Sequence, residues 1–522
     1  MVSALPFSRG AMNLWRMPRR FSLNRFSPWL VPGLLWLWLF SHLRVEWSLN
    51  PQYNYGWGVP FLALLLFYFR WQRRPAPEIG ARNNAMAKVS MAFALALLFP
   101  IRVIEEANPD WRLLSWVLAF CVIDFSLLTI LRAGGARWLK HFAFPVCFPL
   151  VAVPWPVQFE NFVVQTMMRA VASVAVEIAG WFGVGAYQLG NVIQLRNGFV
   201  GVDEACSGVK TLQAGIMVAL VLGELLRLRW NRRIALLVLG CGWVFVCNVF
   251  RATALVFVAA NSGLDALSHW HDAIGTAALI GGMAGMLGLA WLWKGEPRDD
   301  PRKSGPPRIF PAQWGALAWL ALVFAGTEFW YRNQERQLIE SPAWQVSWPQ
   351  NETVAPLPIP DSTRVILHYD DAKTAAWEAP RGVHWWAFFA HWKPQRAALQ
   401  LVRSHSPEIC LPAIGRTFRT ARPDVNVPAG LVSLDFRSYE FEQNGRPLFV
   451  FVCIQEDKLA ASAAESEEWN MRGRLLAALH GKRNLGQRLL EIAVTGMDDF
   501  AEAKAAVAKT VGEIVAKEKP TR

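Results

Sequence analysis

Residues 234–258 read IALLVLGCGWVFVCNVFRATALVFV, and the only charge among them is Arg251. A bilayer-crossing helix needs roughly 17–25 mostly apolar residues. The stretch therefore predicts a transmembrane helix, and a charge inside it is a functional candidate by default. Outward from it, eight further segments have the same character: about 28–43, 56–71, 85–104, 111–131, 139–156, 208–226, 272–293 and 312–329. The 522-residue chain is 53% hydrophobic and 18% charged, which excludes disorder. Its net charge is +13, but a soluble nucleic-acid binder would not be this apolar. The 27 Trp fit a protein with bilayer interfaces. The expected fold is a polytopic α-helical membrane protein of about eight to nine transmembrane helices. A C-terminal α+β soluble domain follows on the outer face.

The charge has a location. Residues 1–311 hold 29 Lys+Arg and 16 Asp+Glu, and the remainder holds 24 of each, so the whole excess sits in the membrane part. Of those 29, 22 fall before the first span or after the second, fourth, sixth and eighth. The other connections are poor in Lys/Arg and contain Glu105, Glu106, Asp110, Glu160, Asp203, Glu204 and Asp265. The positive-inside rule makes the basic set cytoplasmic. The N-terminal basic region precedes an apolar stretch with no cleavage site after it, which reads as an uncleaved anchor. The N-terminus is then inside, and residues 330–522 lie outside.

Four regions follow: a membrane catalytic domain over 1–293, a Pro-rich charged linker over 294–311, an extra helix over 312–329, and an outer domain over 330–522. In the last, Ser433–Phe441 and Leu448–Gln455 flank Asn444-Gly445, a hairpin signal. Arg364–Tyr369 and Ala398–Val402 also read as strands, and Asp498–Lys517 as a helix. Glu160–Trp181 has apolar residues at helical spacing and is expected in the interface or against the bundle. Tyr187–Val202 is expected to be a hairpin presenting Cys206.

Three segments carry chemistry. Gly201–Gly208 is GVDEACSG, Asn248–Arg251 is NVFR, and His269-Trp-His271-Asp272 opens the eighth span. Span direction puts Cys206 at the outer end of the sixth span, Arg251 about two turns below the outer end of the seventh, and His271 at the outer end of the eighth. The three converge on one level. A thiol before a helix start is favoured as thiolate, and a nearby Arg251 or His271 would add to that. Cys with His gives a nucleophile and a general acid/base, and a guanidinium supplies donors for an oxyanion. Asn248 could orient Arg251, and Asp272 could be a helix N-cap. Singly, Cys206 and His271 read as structural or solvated, and Arg251 as an ion pair with Glu204 or Asp272. Together, catalysis is the stronger reading. Spacing alone does not separate His269 from His271.

These blocks resemble the exosortase/archaeosortase family of integral-membrane cysteine transpeptidases. The matching pieces are Gly190–Ile193 (GNVI), Glu204–Gly208 (EACSG), Asn248–Arg251 (NVFR) and His271–Gly275 (HDAIG), with Asn50–Phe67 more loosely. The resemblance implies Cys206 as nucleophile, Arg251 as stabiliser and His271 rather than His269 as acid/base. Glu204, Ser207, Asn248 and Asp272 are supporting candidates. It also implies substrates: secreted proteins ending in a Pro-Glu-Pro-like motif, a transmembrane helix and a basic tail. Cleavage passes through a thioester, with a lipid- or glycan-linked acceptor, and is tied to exopolysaccharide export. The implied location is a bacterial inner membrane, with site and C-terminal domain periplasmic.

Ser404–Pro412 (SHSPEICLP) resembles a block of the exosortase-associated exopolysaccharide-biosynthesis type. His405 and Cys410 could form a second reactive pair; alternatively Cys410 bonds Cys453. The seven cysteines show no metal spacing, and no cofactor, metal or nucleic-acid partner is expected. No G-x-x-x-x-G-K-S/T, H-E-x-x-H or G-x-S-x-G occurs. The competing class is a non-enzymatic scaffold or transporter of polysaccharide export. A transporter should carry polar groups near the bilayer midplane.

Overall fold

A computed structural model describes residues 27–78, 85–190, 192–196, 198–201, 208–263, 265–293, 313–348, 354–359, 363–364, 367–380, 382–394, 407–413, 416–430, 432–443, 445–460, 471–483 and 485–517. The N-terminal part is helical: α1 Leu30–Leu49, α2 Val59–Gln72, α3 Ala85–Ala107, α4 Arg112–Gly134, α5 Ala136–Cys147, α6 Val157–Trp181, α7 Val209–Leu225, α8 Trp230–Ser262, α9 Asp265–Leu292 and α10 Trp314–Glu335. Five of these are long and apolar enough to cross a membrane: α3, α4, α6, α8, and α9 from His269 onward.

That differs from the eight or nine expected. α2, α5 and α7 have 14, 12 and 17 residues, and α1 and α10 carry His42, Arg44 and Glu46, and Glu328 and Arg332. Prolines set one limit: α5 gives way to a 3-10 turn over Phe148–Ala152, with Pro149 inside it and Pro154 beyond. α6, expected in the interface or against the bundle, packs against the bundle and is itself one of the five. Its first turn is held at Arg112 through Glu160, and Phe182 just past its end meets Phe257 near the end of α8. It thus lies along the half of α8 that ends at Ser262.

Ionic clusters mark the two ends of the helical part. At one end Glu224 of α7 accepts from Arg70 at 2.8 Å and from Arg233 at 2.7 Å. At the other, Arg112 joins Glu46 at 2.8 Å and Glu160 at 2.7 Å. The Tyr53 hydroxyl donates to the same Glu160 and accepts from Trp155 N–H at 2.9 Å. Burial and the Glu160 charge raise the Tyr53 phenol above its ordinary range, so it stays a donor. His42 is fixed nearby: its Nδ1 donates to Glu105 at 2.9 Å, and Ser115 lies 2.8 Å from Nε2.

The C-terminal part is sheet-rich. Its main sheet has seven antiparallel strands in the order β6-β7-β8-β13-β11-β10-β9. They run Val354–Pro356, Asp371–Ala379, Val383–Trp392, Gln487–Thr495, Arg446–Glu456, Val432–Gln443 and Thr417–Ala429. The expected hairpin is there, with Gln443 opposite Arg446. Helix α13, Phe500–Ile514, covers one face through Ala503, Val507 and Val511. The helix expected to reach Lys517 stops at Ile514, because Val515–Lys517 pairs with Trp344–Val346. Among the described residues of Arg364–Tyr369, none is in a strand. The His368 N–H closes a helical turn on Arg364, and the Leu367 carbonyl accepts from Trp392. Ala398–Val402 lies outside the described residues.

Cys453 is a free thiol in the α13-side core, pushed up to about 12 by burial. Helix α11, Pro407–Ala413, carries position 410 and packs through Leu411 on the opposite face. The alternative of a Cys410–Cys453 bond is not made, since Cys453 is a free thiol. The sheet part is fastened to the Arg112 end of the helical part. Arg474 of α12 (Met471–Leu479) binds Asp110 at 2.9 Å, and Arg483 binds Glu328 and Glu335 at 2.7 Å.

Glu491 on β13 stands among apolar cross-strand partners, Val452 and Phe388. Burial pushes its carboxyl up to about 7. The folded state then binds a proton that the unfolded state has released. This contribution is full below the ordinary carboxylate pKa, and it is lost as pH rises through about 7. Melts of the full chain should show Tm falling from about pH 5 to about pH 8, and Glu491→Gln should flatten that slope. An equal slope in the variant would exonerate Glu491.

Candidate active site

Helix α8 supplies the first two groups. Asn248 and Arg251 are one turn apart on it, and Asn248 is buried. The chain turns at Gly263 and returns as α9, so residues near the start of α9 face the last turns of α8. His271 meets Arg251 there: Nη2 lies 3.0 Å from the imidazole Nε2. A guanidinium only donates, so Nε2 accepts and the proton of the neutral ring sits on Nδ1. Nδ1 in turn donates to the Asp272 carboxylate at 3.0 Å. The chain Arg251–His271–Asp272 thus fixes one tautomer. Asp272 is not an N-cap, because α9 starts at Asp265 and takes in Asp272 as an interior residue. His269 is exposed, with its ring against Trp270. Geometry alone therefore prefers His271 for the contact with Arg251.

Two glycines let these groups come together. Gly275 is one turn along α9 from His271, and a Cβ there would lie 3.3 Å from the Arg251 Cζ. The guanidinium occupies the space a side chain would need. Gly208 opens α7 with φ +77°, a left-handed conformation that favours glycine. A Cβ at Gly208 would stand 2.6 Å from Cγ of Asn248. The start of α7 is thereby pressed onto α8 one turn from Arg251.

The segment before it arrives from a small antiparallel sheet: β1 Ala186–Leu189, β2 Val192–Leu195 and β3 Gly198–Gly201. Ile193, Leu195 and Val200 pack with Val171 and Ala175 of α6 and Val256 of α8. The expected hairpin is present, with one strand more than a simple pair. Cys206, Glu204 and Ser207 lie outside the described residues, as does His405; position 410 falls on α11.

Sequence reasoning missed the Arg112 cluster and Gln213. Glu160 was read only as topology, and Arg112 was not singled out. Gln213 of α7 is buried, with Nε2 3.4 Å from the Tyr53 hydroxyl, and nothing in its spacing distinguished it.

A family model described as transmembrane exosortase matches residues 47–291. Those residues belong to the transmembrane exosortase family. No curated protein and no solved structure matches the chain. The exosortase part begins at the end of α1, closes within α9, and holds Arg251, His271 and both glycines. The match and the long apolar helices support a multi-pass membrane protein with a transpeptidase-like function in general. The sheet-rich part lies outside the exosortase match.

The glycines give a test within the exosortase part. Gly208→Ala drives a methyl into Asn248 and holds an L residue at positive φ. Gly275→Val pushes the guanidinium off the imidazole. Each should lower transpeptidase activity at least about tenfold, about 1.4 kcal/mol of barrier, with helix content by circular dichroism unchanged. Full activity in both would mean that neither contact matters.

Proposed function

We propose that the chain is a membrane cysteine transpeptidase that cleaves the C-terminal sorting signal of secreted proteins, with Cys206 as nucleophile. The observation that carries the reading is the pair of contacts around Arg251: its 3.0 Å approach to His271, and the seating of Gly208 against Asn248 one turn away. Cys206 is two residues from Gly208. Consecutive Cα atoms are about 3.8 Å apart, so its Cα is within roughly 7.6 Å of that of Gly208. Chain connectivity to Gly208 supports, in this reading, a nucleophile supplied from the segment next to the Asn248 end of the pair.

The chemistry follows from the groups. The Cys206 thiol passes its proton to the His271 imidazole, and Sγ attacks the carbonyl carbon of the scissile peptide. Arg251 N–H groups stabilise the oxyanion that forms. The imidazole of His271, held by Asp272, passes a proton to the leaving nitrogen. The C–N bond breaks, a thioester remains on Cys206, and the helix with its basic tail departs bearing a new amino terminus. An acceptor amine, hydroxyl or water then attacks the thioester and returns the proton to the sulfur. Glu204, Ser207 and Asn248 support the loop and the guanidinium.

The basic segments support a cytoplasmic N-terminus and a site on the outer face of a bacterial inner membrane. The sheet-rich part, fastened by Arg474 and Arg483, is then periplasmic, where it recruits substrate or acceptor. The exopolysaccharide link follows from the resemblance in the C-terminal block.

The test is a tagged reporter ending in a Pro-Glu-Pro motif, an apolar helix and a basic tail, expressed with variants of the full chain. Cys206→Ala and His271→Ala should each reduce processing by about a hundredfold or more, Arg251→Lys should reduce it severely, and His269→Ala should stay within about twofold. Undiminished processing by Cys206→Ala would end the transpeptidase reading.

A further inference from the structure

Between α7 on one side and α5 with its 3-10 turn on the other lies a half-open cavity of about 360 Å³. Ile216 and Leu220 stand on the α7 wall, and Phe144, Cys147, Leu150 and Val151 on the other. All six are half-buried, so the cavity opens at the surface of the helical part. At roughly 30 Å³ for a water-sized group, it holds on the order of a dozen methylenes. That is too little for a helix, which is about 10–12 Å across with its side chains, and enough for most of one acyl chain.

Both walls run into charge at the same end. Leu220 is one turn from Glu224 on α7, and Phe144 is one turn from Lys140 on α5, each pair on one helix face. Glu224 is bound by Arg70 and Arg233, and the Arg233 guanidinium stands 5.6 Å from the centre of the Phe144 ring. Gly223 makes room for that approach: a Cβ there would lie 3.2 Å from Cγ of Arg233, so the Arg233 stem crosses α7 and its head ends beside the cavity wall. Glu224 offsets one of the two guanidinium groups. With the exposed Lys140, this foot of the cavity is left with a positive excess. The opposite end of the helical part has the other sign, since Arg112 is shared by two carboxylates, Glu46 and Glu160. From Glu224 to Gln213, the wall residue farthest from it, α7 rises about 16 Å, close to the roughly 15 Å of hydrocarbon in one leaflet.

We propose that this cavity binds an anionic phospholipid of the leaflet at the Glu224 end, with one acyl chain between Phe144 and Leu220 and the phosphate at Lys140 and Arg233. A zwitterionic head group carries its own cation beside the phosphate and gains less from a positive foot. The bound chain fills the gap left where α5 gives way to its 3-10 turn. It supplies dispersion contacts there that the protein's own side chains do not make. The site is independent of the Arg251–His271 pair and of the reaction assigned to it.

The test uses the full chain in phosphatidylethanolamine vesicles doped with phosphatidylglycerol that carries a diazirine in one acyl chain. A matched set carries the same chain on phosphatidylcholine. After photolysis, mass spectrometry of the peptides should find the phosphatidylglycerol probe on Phe144, Ile216 or Leu220, at least about fivefold above the phosphatidylcholine probe. Exposed Leu239 of α8 should take up both equally, as a surface bathed in bulk lipid. Lys140→Gln and Arg233→Gln should each cut the phosphatidylglycerol adducts at the cavity about fivefold and leave the Leu239 adducts unchanged. Arg233 also holds Glu224, so its variant is open to misfolding; Lys140 is exposed and keeps the test intact. Ile216→Trp should fill the cavity and remove the adducts on Phe144 and Leu220. Equal labelling of the cavity by both probes would make it a crevice for bulk lipid and overturn the proposal. So would a cavity left unlabelled while Leu239 is labelled, or full labelling in both charge variants.

Discussion

A guanidinium set among apolar helices has to be neutralised where it stands, and Arg112 meets that demand by gathering groups from four parts of the chain. Glu46 comes from the end of α1, Tyr53 from the turn before α2, and Glu160 from the first turn of α6, while Arg112 opens α4. Removing one partner of such a buried group typically costs roughly 3–5 kcal/mol, so these ends share one level. Tyr53 carries the constraint on to Gln213 of α7, and α6 carries it on to α8. The helices that hold the candidate active site are therefore registered against the rest of the bundle by polar contacts. Apolar packing alone, nearly as favourable against lipid, would leave their depths loose.

On that frame the site is assembled by close approach. α8 and α9 form a tight antiparallel pair, with Trp243 donating to the Gly281 carbonyl and Met286 lodged beside Gly215 and Gly240. Their separation is small enough for Arg251 to reach His271 directly. The direction of that hydrogen bond matters more than its presence. Because the guanidinium donates to Nε2, Nδ1–H is turned toward Asp272, and the ring is oriented at both nitrogens.

The class of the protein was legible in its residues, because a charge in lipid is so costly that Arg251 stands out in an apolar run. Asn444-Gly445 was legible because its turn is decided locally. α6 was legible as a helix against the bundle, but not the residues that receive it, since Val249, Leu255 and Val256 lie far along the chain. The span lengths were overestimated where prolines and 3-10 turns shorten a helix without making it polar. Arg364–Tyr369 looked strand-like in composition, yet the carbonyl of Leu367 is claimed by Trp392 and the chain coils. Cys453 looked like a partner for Cys410, yet it is a free thiol.

The sequence by itself determined that this is a membrane protein with basic segments alternating along it, and which three blocks are candidates for its chemistry. Those are properties of composition and order along one dimension. Only the tertiary structure decided that His271 rather than His269 meets Arg251, that Gly208 rests on Asn248, and that Gln213 is buried beside Tyr53. Each depends on how far apart two helices cross and how each is rotated about its axis. Those distances are set by side chains from distant segments filling the same space.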